Sequence, residues 1–149
     1  MNWFVTNAKK AEGITIKGFK TFKGRGEFGD KGGFEGTAIL NGKAIATFAD
    51  ANDGGMLGLC DTQVFKDLAK KNFEDEPYSS AAEKFVYFLV QHHETLQALK
   101  RKAKTKVLGI DATCGDGQYV EWKREYSVEV ANAIRTKFPG TYFIINEFL

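Results

Sequence analysis

Asn41-Gly42 stands between two β-rich runs, Thr37-Ala-Ile-Leu40 and Ala44-Ile-Ala-Thr-Phe48. Both turn residues tolerate positive φ, which makes this pair the strongest short hairpin signal a sequence offers. An antiparallel hairpin is therefore expected here, and it limits how the rest of the first third can fold. Upstream, Ile14, Ile16, Phe19 and Phe22 sit among Thr and Lys in an interrupted alternation. That is the pattern of a half-buried strand with a kink or bulge at Gly18. Downstream, Asp50-Ala-Asn-Asp-Gly-Gly55 closes the meander with turn chemistry.

The middle of the chain changes period. Val64, Phe65, Leu68 and Phe73 recur at helical spacing after Asp61-Thr62, either of which can cap the first turn. After Pro77, Ser80-Ala-Ala-Glu83 forms a capping box for a longer helix, whose expected apolar face is Phe85, Phe88, Leu89, His92, Leu96 and Leu99. Lys100-Arg-Lys-Ala-Lys104 then places cations near the negative end of the helix dipole. The last third reads as strand (Lys106–Ile110), strand (Gln118–Lys123), helix and strand (Thr141–Asn146). Ser127 caps that helix, Val130, Ala131, Ile134 and Phe138 form its face, and Pro139-Gly140 stops it.

These elements make an α+β chain in one domain, residues 1–149: a mainly antiparallel, twisted sheet packed against one long helix and two shorter ones. Residues 1–60 form a Gly/Phe-rich β meander, 61–104 a helical pair, and 105–149 a β-β-α-β run. With 149 residues and 43% apolar content the chain is long enough to bury a core, and 27% charge keeps it soluble. No apolar run approaches the roughly 18 residues of a membrane span, so no membrane partner is expected. No secretion signal is evident, and two cysteines, Cys60 and Cys114, suit a reducing cytoplasm.

The net charge of +2 hides a cancellation: +3 over residues 1–40, −3 over 41–80 and +2 over 81–149. Polarised surfaces of this kind steer partners. The surfaces that stand out are the Asp50 to Gly55 turn with Asp50 and Asp53, the acidic Glu74-Asp75-Glu76, and the basic Lys100, Arg101, Lys102 and Lys104. A second constellation runs from Lys17 to Gly33 and interleaves cations with Phe and Gly. There Lys20, Phe22, Lys23, Arg25 and Phe28 match the chemistry of single-stranded nucleic-acid binding, in which rings stack on bases and cations neutralise phosphates. The same alternation also describes a hairpin with Phe facing a core and Lys facing water.

Other chemistry is thinner. Gly24-Arg-Gly26 with Gly29 mimics a dinucleotide fingerprint but leads into another strand instead of a helix. Counted from Asp50, an EF-type calcium loop would need a ligand at Gly54 and a bidentate Glu at Asp61. His92 and His93 are adjacent, so on a helix they point about 100° apart and suit one metal poorly. Cys60 and Cys114 lack a nucleophile signature, although Asp111 and Asp116 bracket Cys114 in a glycine-containing loop. No catalytic residue, metal ligand or cofactor is assigned, and the chain reads as a non-enzymatic binder. The alternatives are the nucleic-acid binder above, and a small enzyme or nucleotide-signal-sequestering pocket using His92, His93 or Cys114.

Several segments together are similar to small, largely uncharacterised proteins encoded by bacteriophages and prophages. They are Phe19-Lys-Thr-Phe-Lys-Gly24, Gly33-Phe-Glu-Gly-Thr-Ala38, Asn41-Gly-Lys43, Asp50 to Gly55, Tyr126-Ser-Val-Glu-Val130 and Ile134-Arg-Thr-Lys-Phe138. The resemblance spans most of the chain and implies an accessory protein in the host cell cytoplasm. Such a protein would bind and inhibit a host protein, as an anti-defence or host-takeover factor.

Overall fold

A computed structural model of the chain describes residues 1–22, 32–51 and 57–149. In chain order the elements are α1 (Trp3–Lys10), β1 (Thr15–Thr21), β2 (Phe34–Leu40), β3 (Lys43–Asp50), β4 (Gly58–Asp61), α2 (Gln63–Lys70) and α3 (Ala81–Ala103). They continue with β5 (Val107–Asp111), β6 (Val120–Trp122), α4 (Val128–Lys137), β7 (Thr141–Ile144) and a closing 3-10 turn, Ile145–Phe148. The α+β class is as the sequence implies. The strands, however, lie in two antiparallel sheets, ordered β1-β2-β3-β4 and β6-β5-β7, where the sequence suggested one. The chain divides into two compact units, Lys10–His93 and Met1–Lys9 with Glu94–Leu149.

In the Lys10–His93 unit the hairpin forms as expected. Asn41 and Gly42 adopt φ of 52° and 77°, and Leu40 pairs with Lys43. Ile39 pairs with Ala44 and Ala38 with Ala46, so Ile45 is an extra residue in β3. That bulge lets Ile45 and Ala46 both be buried, whereas beyond it burial alternates through Phe48 and Asp50. The bulge at Gly18 is also present. Gly18, at φ 63°, and Phe19 together oppose Gly36, which turns the Phe19 ring onto the core and leaves Lys20 exposed. Gly36 itself is fixed by packing, because a Cβ there would lie 2.8 Å from Ile16 Cγ2 and 3.0 Å from Phe48 Cζ.

One face of this sheet is covered by α2 and the first half of α3. Phe65, Phe85 and Val86 are fully buried there, with Phe65 and Phe85 stacked at 5.2 Å. The buried stripe of α3 is rotated from the expected one. It includes Val86 and Val90, while Phe88 and His92 lie at its half-buried margin. The capping residues act as their sequence positions imply. Thr62 Oγ1 accepts from the Phe65 amide and donates to the Ile45 carbonyl at 2.8 Å, which ties α2 to β3. Ser80 Oγ accepts from the Glu83 amide at 3.1 Å.

In the other unit β5 is the central strand, and Val107 to Ile110 are all buried. Leu108 and Ile110 pack with Trp3, Phe4, Leu99 and Ile145 on one side. Val107 and Ile144 pack with Ala131 and Ile134 of α4 on the other. The helix α1 has no counterpart in the sequence reading. It is fastened by the Trp3 indole N–H, which donates to the Gln118 carbonyl at 2.7 Å. Asn146 closes the strand end with two bonds: its Oδ1 accepts from the Leu108 amide and its Nδ2 donates to the Lys106 carbonyl.

Candidate protein-interaction surface

Between α2 and α3 the segment from residue 74 to 80 contains no periodic apolar residue, so nothing draws it into the core. It is nevertheless tightly held. Glu76 and Ser79 exchange two backbone hydrogen bonds, at 2.9 and 3.2 Å, around the two-residue tip Pro77-Tyr78. Proline presets φ at that tip. Asp75 Oδ1 accepts from the Ala81 amide at 2.8 Å, capping the first turn of α3 from outside it. Lys84 Nζ reaches back from α3, donates to the Glu74 carbonyl at 2.8 Å and pairs with Glu76 at 3.0 Å. The result is an ordered turn on which Tyr78 is 100% exposed, flanked by the exposed acids Glu74, Asp75 and Glu76.

Next to the turn is a groove of about 350 Å³, lined by residues from β4, α2 and the start of α3. Leu57 and Leu59 contribute apolar surface. Asp61, Asp75 and Glu83 contribute carboxylates, and Lys66 and Lys70, one helical turn apart on α2, contribute ammonium groups. The acidic middle of the sequence thus contains two adjoining surface features, a turn and a groove.

The remaining predicted residues have different fates. Asp50 does not face solvent. It is 8% exposed, and its Oδ2 accepts from the Tyr87 hydroxyl at 2.7 Å. Desolvation of Tyr87 and that bond push the phenol up to about 12. Asp53 lies outside the described residues, as do Asn52, Gly54 and Gly55 of the expected turn.

The basic run splits in two. Lys102 and Lys106 both hold Glu121, at 2.6 and 2.7 Å, and their bonds pull its carboxyl down to about 2. The Glu121 bond in turn raises the Lys102 ammonium. Lys100, Arg101 and Lys104 remain exposed around that clamp.

In the basic Gly/Phe segment Lys20 is exposed and Phe22 is 46% exposed, whereas Phe19 packs against the core and stands 5.0 Å from the His93 ring. Lys23, Arg25 and Phe28 lie outside the described residues. His92 stacks on Phe88 at 5.8 Å, and burial, then the neighbouring His93, lowers its pKa. Cys60 is exposed on β4. Cys114 is half-buried, with Sγ 3.5 Å from Asp111 Oδ1. Asp111 is engaged in an Asx turn with Thr113, whose hydroxyl and amide lower its pKa. Among the described residues no three His, Cys, Asp or Glu side chains cluster as metal ligands. No described helix is long and apolar enough to cross a membrane.

The sequence singled out Glu74, Asp75 and Glu76 but not Tyr78 or Lys84. The available signal was a bulky aromatic directly after a proline, in a stretch with neither helical nor strand periodicity, where no core position exists to receive it. Lys66 and Lys70 gave no such signal, because α2 is polar on every face but one, and Asp61 stood out only as a cap candidate and as the twelfth position of a calcium loop. Compared with known proteins, the chain matches no family model, no curated protein and no solved structure.

Proposed function

We propose that this chain is a non-enzymatic binding protein that engages a partner protein through the turn at 74–79. We further propose that the partner is a host macromolecule which a phage-type accessory protein disables, most simply a defence or metabolic factor. One observation carries the reading: Tyr78 is 100% exposed on a turn that backbone pairing, an Asp75 cap and Lys84 hold in place. Tyrosine is enriched among the anchors of protein interfaces, and an anchor whose backbone is already held loses less conformational entropy on docking. The acids beside it add a charge field that speeds encounter with a basic surface.

The test is capture from bacterial lysate at physiological salt with immobilised wild-type chain and with Tyr78→Ala. The wild type is expected to retain a stoichiometric protein that the variant loses, with unchanged melting temperature because the ring is fully exposed. Capture of no protein, or capture indifferent to the substitution, overturns the reading.

A further inference from the structure

We infer that the groove beside the turn receives an arginine side chain from a partner segment that also carries a carboxylate. This deepens the partner-binding reading and rests on it. The argument is one of charge and shape. The groove is two-signed: it is lined by the acids Asp61, Asp75 and Glu83, of which Asp75 also caps Ala81 through Oδ1, by the lysine pair of α2, and by the apolar Leu57 and Leu59. Among the described residues no ion pair joins Lys66 or Lys70 to a carboxylate. The opposite charges share the groove without closing it.

Guanidinium is the cation that fits several carboxylates in fixed geometry, and its aliphatic stem packs on leucine. A volume of about 350 Å³ suits one long side chain and its flanking backbone. The lysines define the rest of the occupant. They repel a purely basic tail and pair with a carboxylate on the same segment. A phosphorylated ligand fits poorly because it meets three acids against two bases.

The probe is a capped peptide, N-acetyl-Gly-Arg-Gly-Glu-Gly-amide, titrated into the full-length chain and followed by amide chemical shifts. Saturable shifts are expected at Leu59, Asp61 and Ala81 to Glu83. Replacing the peptide's arginine with norleucine should abolish them. Glu83→Gln should weaken binding by about fivefold, the scale of an exposed charge pair, and Lys66→Ala should weaken only peptides that keep the glutamate. Absence of saturable shifts at these amides, equal binding of the norleucine peptide, or tighter binding of hexa-arginine or inorganic phosphate each overturns the inference.

Lysate capture separates the two ideas. Capture that depends on Tyr78, with no peptide binding, removes the groove and leaves the turn. Peptide binding without any captured protein removes the partner reading itself, and this deepening of it falls too.

Discussion

Beyond its bulge β3 buries one face and exposes the other, whereas β5 is buried on both. Thr47 and Ala49 are exposed between the buried Ala46, Phe48 and Asp50. On β5, Val107, Leu108, Gly109 and Ile110 are all buried, with Leu108 and Ile110 in one cluster and Val107 in another. A one-sided sheet shows period-2 alternation in its sequence; a two-sided one shows a short continuous apolar run that resembles a buried helix segment. The difference should also appear in tolerance to substitution. On β3 there are positions at which change is nearly neutral, and β5 has none from Val107 to Ile110.

The largest effect tests that contrast directly. Leu108→Ala is expected to cost about 3 kcal/mol or more, the usual loss for a fully buried leucine, while Thr47→Ala on the open face should stay within about 0.5 kcal/mol. Urea denaturation of both variants measures this, and similar losses would break the comparison. A second pair adds a methyl group to each sheet. At Gly109 a Cβ would meet the Trp122 ring at 2.8 Å and Thr141 at 3.1 Å; at Gly36 it would meet Ile16 at 2.8 Å and Phe48 at 3.0 Å. Both alanine variants should lose about 1–3 kcal/mol. Gly109→Ala should lose more, because Thr141 is buried and Trp122 packs under α4, whereas half-buried Ile16 can yield toward solvent.

The helix caps give a smaller contrast. Ser127→Ala removes one bond to the Val130 amide and should cost about 1 kcal/mol. Thr62→Ala should cost somewhat more, since it also removes the bond to the Ile45 carbonyl. Thermal melts of the two variants decide the order.

The smallest effects are those of pH. Glu121 is held at about 2, below its ordinary 4.5, so its contribution is present above pH 4.5 and is lost as pH falls toward 2. Glu121→Gln should therefore lower the melting temperature at neutral pH and match wild type near pH 2. Tyr87 is shifted the opposite way. Its protonated form is favoured, so its contribution is present below pH 10 and is lost as pH rises through about 12. Absorbance of tyrosinate should show a late component from Tyr87, and Asp50→Asn should lower its midpoint.

Where the chain's local chemistry is sufficient, the sequence was legible. Asn41-Gly42 needed only two residues able to take positive φ, and the Gly18 bulge needed one. Thr62, Ser80 and Ser127 each cap the helix that follows them, through bonds within three residues. α1 was not legible. Its eight residues have too little helical drive alone, and its apolar pair, Trp3 and Phe4, becomes a face only against β5. The inward position of Asp50 was also hidden, since its partner Tyr87 lies 37 residues away.

The candidate surface was half legible for the same reason. The acids were visible as charge, but full exposure of Tyr78 depends on a pairing and a lysine that the sequence does not announce. The sequence by itself determined the α+β class, the hairpin, the caps and the charge division, because each depends on backbone preference or on neighbours a few residues apart. Tertiary structure alone decided that the strands make two sheets, which faces are buried, and that an acidic turn and a two-signed groove adjoin. Those outcomes depend on contacts between residues far apart in the chain, and local chemistry does not encode such contacts.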